Sequence, residues 1–61
     1  GGSSKIEKEG YIAPGAIIRN QMKIGARSVV GMGAVVTKNI EEGKVVAGVP
    51  ARVIRDNDGN L

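Results

Sequence analysis

Few residues in this chain could do chemistry on their own. Its 61 residues include no His and no Cys. That removes an imidazole base, a thiol nucleophile and the usual zinc ligands. The carboxylates are Glu7, Glu9, Glu41, Glu42, Asp56 and Asp58. None has a partner at a spacing that would make one carboxyl an acid and the other a base, so solvated surface is their plain role. Nine Lys and Arg give a net charge of +3. They are scattered, without a basic run and with Tyr11 as the only aromatic, which argues against a nucleic-acid surface. The cations worth following are Lys38, next to Thr37, and Arg52 and Arg55 in the stretch ARVIR. What they can do depends on the elements that place them.

Those elements follow from one period. Cut every six residues from Ile6, the chain reads IEKEGY, IAPGAI, IRNQMK, IGARSV, VGMGAV and VTKNIE. The first place of every hexad is Ile or Val. The fifth holds Gly10, Ala16, Met22, Ser28, Ala34 and Ile40, and is small in four of six cases. A helix would put residues six apart on different faces, whereas a strand keeps even separations on one side. Gly and Asn between the aliphatics suit corners where φ is positive. Six residues then make one short strand and one bend, and three such sides close a triangle of eighteen residues. Ile6 stacks under Ile24, Ile12 under Val30 and Ile18 under Val36, as in a solenoid. A sheet or barrel of short alternating strands accounts for the β-branched residues but not for this register. Ten Gly argue against helix.

The expected architecture is therefore an all-β parallel β-helix of two to three coils over residues 5–55. Residues 1–4, GGSS, read as a linker or an expression remnant, and residues 56–61, DNDGNL, as a frayed tail. The hexad count fails at EEGK, where a loop is expected before the apolar pair Val45-Val46. Val49-Pro50 fits a rigid turn. Met22 and Ile40 are too large for the small slot, so the triangle bulges there or the Met22 side chain points outward. No apolar stretch is long enough to span a membrane and no signal-peptide pattern is present, so a cytoplasmic setting is the expectation.

The hexads followed by VGMGAVVTKNIEEGKVVAGVPARVIR, residues 30–55, resemble the hexapeptide-repeat acyltransferases. The closing part looks like that of galactoside, maltose and related sugar acetyltransferases. IRNQMKIGARSVVGMGAVVTKNI is similar to the sialic-acid and amino-sugar branch. The resemblance covers residues 6–55 and implies a left-handed β-helix, although strand crossovers in general favour the right hand. It also implies homotrimers, with acetyl-coenzyme A in a groove between subunits and a His as general base for transfer to a sugar hydroxyl or amine.

Carried onto this chain, the resemblance implies a half-site for coenzyme A. Its amide arm would pass Pro14 and Met32, one coil apart at equivalent corners. Gly31, Gly33 and Ala34 would allow close approach. Thr37 and Lys38 would follow along the groove, and Arg52 and Arg55 would meet the phosphates. Guanidinium forks suit phosphate oxygens and Lys acts as a point charge. Each residue also has a structural reading: glycines for corners, Met32 as a subunit contact, Lys38 for solubility, and the two Arg as a cap on the open end of the stack.

Without the His, the chain by itself is not expected to transfer acetyl groups. The leading expectation is the C-terminal portion of a coenzyme-A-dependent sugar O- or N-acetyltransferase, with no catalytic residue of its own. The alternative is a non-catalytic β-helical trimerisation or capping module. A sugar nucleotidyltransferase fits the tail less well, and a γ-type carbonic anhydrase would need three His ligands for its metal. Two coils with no aromatic core are not expected to stand as a monomer, and Ile17, Val29 and Val35 are candidates for the packed outer face of a homotrimer.

Overall fold

A computed structural model describes residues 4–58. Eight short strands account for its regular structure: β1 (Lys5–Ile6), β2 (Tyr11–Ile12), β3 (Ile17–Ile18), β4 (Lys23–Ile24), β5 (Val29–Val30), β6 (Val35–Val36), β7 (Lys44–Ala47) and β8 (Arg52–Asp56). The first six are two residues long because each hexad spends its other four residues turning. They pair in parallel across eighteen residues, Ile6 with Ile24, Ile12 with Val30 and Ile18 with Val36. The expected register is the observed one.

Three stacked faces result. The first holds β1 and β4, continued by a parallel bridge from Ile24 to Ile40. The second holds β2, β5, β7 and β8, and the third β3 and β6. The turns between faces stack into three edges. Edge one, between the first and second faces, is residues 7–10, 25–28 and 41–43. Edge two is residues 13–16 and 31–34, and edge three residues 19–22 and 37–39. Hydrogen bonds continue the ladder into the turns, as in Glu7 N–H to the Ile24 carbonyl and Gly31 N–H to that of Val46.

The core fills the middle of the stack. Ile24, Val30, Ala34, Val36 and Ile40, from the first and fifth places of the hexads, form one buried cluster with Val46 of β7. Ile12, Ala16, Ile18 and Met22 pack against it from below. Met22 thus turns inward, correcting the outward alternative, and Ile40 is accepted because the hexad pattern ends there. The lower rim is open, and Ile6 remains 49% exposed.

Two kinds of corner position require small or permissive residues, and they differ physically. At the fourth place of the hexad, Glu9, Gly15, Gln21, Arg27 and Gly33 all have positive φ. Only two of these are Gly, so composition did not mark this place. At the second place the constraint is contact. A Cβ on Gly25 would lie 2.5 Å from Glu42 N and 2.6 Å from Glu41 C. One on Gly31 would lie 3.2 Å from both Ala47 Cβ and the Val46 carbonyl oxygen. The next coil lies directly on these two glycines, which is why they recur six residues apart.

The break at EEGK is built around Ser28. This residue is buried, and its hydroxyl donates to the Glu41 carbonyl at 2.6 Å. Ala would fill the slot equally well but leave that carbonyl without its donor. The Asn39 side-chain oxygen accepts the Lys23 N–H at 2.8 Å, standing in for a ladder carbonyl as the hexads end. Gly43 N–H then bonds the Ala26 carbonyl, and β7 resumes the second face with Val45 beside Val29.

The top is closed by a reversal. Val35 N–H reaches the Gly48 carbonyl and Ala51 N–H the Val35 carbonyl, so residues 48–51 cross over the third face. The Val49–Pro50 peptide is cis. Strand β8 returns antiparallel to β7, with a bulge opposite Val45 and Val46. It runs to Asp56, and Asn57 is held by its N–H on the Gly43 carbonyl and its side-chain amide on that of Arg27. Asp56 and Asn57, the first two residues of the expected tail, are thus tied to the body of the coil. At the other end Ser4 bonds the Arg19 carbonyl. The rest of the expected linker and the end of the expected tail, residues 1–3 and 59–61, lie outside the described residues.

Candidate functional site

The three edges differ in chemistry. Edge one carries Glu7, Lys8, Glu9, Arg27, Glu41 and Glu42, which include every Glu of the chain. Edge two, with Ala13, Pro14, Gly15 and Ala16 under Gly31, Met32, Gly33 and Ala34, has no charge. Edge three carries Arg19 and Lys38 and no carboxylate. A single polymer period thus produces one acidic-rich, one neutral and one cationic ridge.

Pro14 and Met32 occupy equivalent places on edge two, and Gly33 N–H donates to the Pro14 carbonyl at 3.3 Å. Met32 is 77% exposed. Gly33, with φ of 70°, has nothing within 4 Å of where a Cβ would stand. Backbone and small side chains therefore line an open, uncharged shelf. Two of the residues expected to allow close approach also carry structural duties. Ala34 is fully buried in the core, where its methyl packs with Val30 and Val36. Gly31 lies against Ala47 of the next coil, so its small size serves stacking.

Lys38 and Arg52 meet in a depression of about 230 Å3 at the top of edge three, with Val46 and Ala51 among its lining residues. Thr37 precedes Lys38 and is half-buried. The reversal of residues 48–51 brings Arg52 there, fourteen residues on in the chain. Asn39 and Val53 also line the depression, and sequence reading had not singled them out. Their only signal was adjacency to Lys38 and Arg52.

Arg55 does not line this depression. Its guanidinium donates to the Asp56 carbonyl at 3.2 Å. Register places Arg52 opposite Ala47 and Arg55 opposite Val45, on either side of the inward Val46. Ile54 is the extra residue of the bulge. Arg52 and Arg55, three apart, therefore share the outer side, whereas unbroken alternation would put Arg52 with Ile54 and Arg55 opposite. The strand end is anchored by Lys44 Nζ on Asp56 Oδ1 at 2.7 Å. That hydrogen bond and charge hold the Asp56 carboxyl below its ordinary 3.8 and raise the Lys44 ammonium above 10.5.

Two further depressions, of about 280 and 430 Å3, lie along edge one. Glu7, Glu41 and Glu42 line the larger, a setting that repels phosphate. Among the described residues no group of three His, Cys, Asp or Glu is placed to hold a metal ion.

No protein-family model matches the chain. It is 43% identical over 53 residues to 2,3,4,5-tetrahydropyridine-2,6-dicarboxylate N-acetyltransferase of Clostridium perfringens, a match covering 87% of this chain and 22% of that protein. Among solved structures it resembles a hexapeptide-repeat-containing acetyltransferase of Vibrio cholerae complexed with acetyl coenzyme A. The TM-score is 0.87 at 34% identity, over 90% of this chain and 30% of that one. A galactoside acetyltransferase in complex with coenzyme A gives a TM-score of 0.86 at 40% identity, over 90% of this chain and 28% of that one. The chain thus spans between a fifth and a third of the length of these proteins.

Proposed function

We propose, from the kinship of this left-handed β-helix with the hexapeptide-repeat acetyltransferases by sequence and by fold, that the chain is the C-terminal portion of a coenzyme-A-dependent acetyltransferase. It supplies part of the acetyl-coenzyme A groove and contacts between subunits of a cytoplasmic homotrimer. The acceptor class is a sugar hydroxyl or amine. The observation that carries the reading is the meeting of Lys38 and Arg52 in one depression at the top of edge three, across the third face from the uncharged edge two.

The residues present fit the ligand. Acetyl-coenzyme A has an amide arm and a phosphorylated end, and its thioester supplies the activated acetyl group. Pro14, Met32 and Gly33 offer the arm an open shelf where no side chain blocks the backbone. Lys38 and Arg52 receive phosphates, with Thr37 beside them and Arg55 on the same outer side of β8. Arg52 gives paired N–H donors and Lys38 a point charge. Proton removal from the acceptor needs a base, and this chain, with no His, holds none of the expected kind. Its part is to bind and orient the donor.

In the trimer, Ile17 and Val35 form one apolar strip, being paired on the third face between edges two and three. Val29 belongs to the second face, beside Tyr11 and Val45, and so is not part of that strip. Sedimentation velocity with coenzyme A, followed near 260 nm, tests the reading, because a chain with one Tyr and no Trp or Phe absorbs little there. Coenzyme A moving with a species of trimer mass is the expected result. A trimer that leaves the ligand behind would favour the capping module, to which the missing His also points. A monomer that unfolds cooperatively and binds nothing would overturn both.

A further inference from the structure

The pairing state of the cations separates the edges more sharply than their number does. Lys5 and Lys23 both reach Glu7 at 3.8 Å, Arg27 reaches Glu42 at 3.2 Å, and Lys44 reaches Asp56. Arg55 is engaged with a backbone carbonyl. Among the described residues, Lys8, Arg19, Lys38 and Arg52 take part in none of these ion pairs. Three of those four, Arg19, Lys38 and Arg52, lie on or beside edge three. Lys8 lies on edge one, among the Glu residues.

Arg19 lies outside the proposed coenzyme A contacts. Its N–H bonds the Val36 carbonyl, which sets it one coil below Thr37 and next to the Lys38 turn. It is exposed and does not line the Lys38–Arg52 depression. Edge one lies across the prism from the third face, so its excess of carboxylates faces away from the groove. The chain therefore carries a transverse dipole, positive toward edge three. A polyanion approaching along the groove meets an attractive field, and one approaching edge one meets a repulsive field. Fields of this kind raise association rates and fade with salt.

We propose that the segregation of charge among the three edges steers the phosphorylated end of the acyl donor into the groove, with Arg19 as a steering residue that makes no contact in the bound state. This inference rests on the functional reading above. A residue that contacts phosphate slows dissociation, whereas one that only shapes the field changes the rate of arrival. Arg19 is assigned to the second kind because it sits one coil below the depression lined by Lys38 and Arg52, outside its wall.

The test compares Arg19→Gln with Lys8→Gln. Both are exposed and both variants lower the net charge by the same amount, but on different edges. Coenzyme A coupled through its thiol to a biosensor surface reports association and dissociation rates as the ionic strength is raised from 20 to 500 mM, on the order of the range over which screening closes in. Arg19→Gln is expected to slow association about two- to threefold at low salt, to leave dissociation unchanged, and to match the unmodified chain at high salt. Lys8→Gln is expected to have a distinctly smaller effect. Equal effects of the two variants would mean that only net charge matters and would overturn the inference. So would faster dissociation in Arg19→Gln, which would make it a contact. Binding whose rates ignore salt would also sink the steering while leaving the functional reading standing. No coenzyme A binding at any salt would remove both.

Discussion

At the scale of single residues, the glycines show how one residue type answers two demands. Gly25 is required by the backbone of residues 41 and 42 pressing on it, and Gly33 by a positive φ in open space. The two should respond differently to Ala. Gly33→Ala is expected to cost about 1–2 kcal/mol, the penalty of a Cβ in the left-handed region. Gly25→Ala is expected to cost more, about 3 kcal/mol, because the obstacle is backbone and cannot move aside without breaking the Gly25 N–H bond to the Ile40 carbonyl. Urea unfolding of the two variants at one protein concentration checks the order, and a Gly33→Ala variant as damaged as Gly25→Ala would contradict it. Glu9, Gln21 and Arg27 hold the same left-handed conformation as Gly33, and ladder and turn bonds on both sides keep them there.

At the scale of elements, the last two strands differ from the rest. Strands β1 to β6 pair in parallel with the strand one coil away, whereas β8 pairs antiparallel, and with β7 alone. The Lys44–Asp56 pair closes that hairpin at its end. Its pH dependence follows from the direction of the two shifts. The Asp56 carboxyl is held low by the Lys44 hydrogen bond and charge, so its contribution is present above 3.8 and is lost as pH falls through the lowered value. The Lys44 ammonium is held high by the same hydrogen bond and charge, so its contribution is present below 10.5 and is lost as pH rises through the raised value. The hairpin should therefore be protected on a plateau between these limits and loosen outside both. Amide hydrogen exchange of residues 52–56 reads this, and Asp56→Asn is expected to raise exchange on the plateau to the level seen at its ends. Unchanged exchange in that variant would show that the pair is incidental to the strand.

At the scale of the whole molecule, the uneven core sets the expectation for assembly. Burial is complete in the second coil and partial in the first, and Ile17 is 59% exposed on the third face beside half-buried Val35. Ile17→Lys should leave the ladder intact, since the side chain points away from the Ile18 stack, yet it places a charge in the strip assigned to the proposed trimer. The expected outcome is dissociation to a smaller species by sedimentation, with β-type circular dichroism retained at high protein concentration. A variant that stays trimeric would move the interface off the third face. Because stability and assembly are linked, the comparison has to be made at equal concentration.

How much of this was legible beforehand can be argued residue by residue. The register of Ile6 with Ile24, Ile12 with Val30 and Ile18 with Val36 was written in the chain, because a buried strand position tolerates only apolar residues and the period repeats it. The break at EEGK was legible for the same reason, as the loss of that pattern. The fourth-place corners were not, because Glu, Gln and Arg carry no mark of positive φ. The core role of Ala34 was not legible, because a small residue can be small for a core or for a ligand, and its complete burial is visible only in the fold. The meeting of Lys38 with Arg52, and the bulge that sets Arg55 on the same side, depend on a reversal at residues 48–51 that no periodicity encodes. Sequence alone thus determined the repeating ladder, since it follows from local alternation multiplied along the chain. Tertiary structure decided which cations share a groove, since that depends on where the chain stops repeating and turns back.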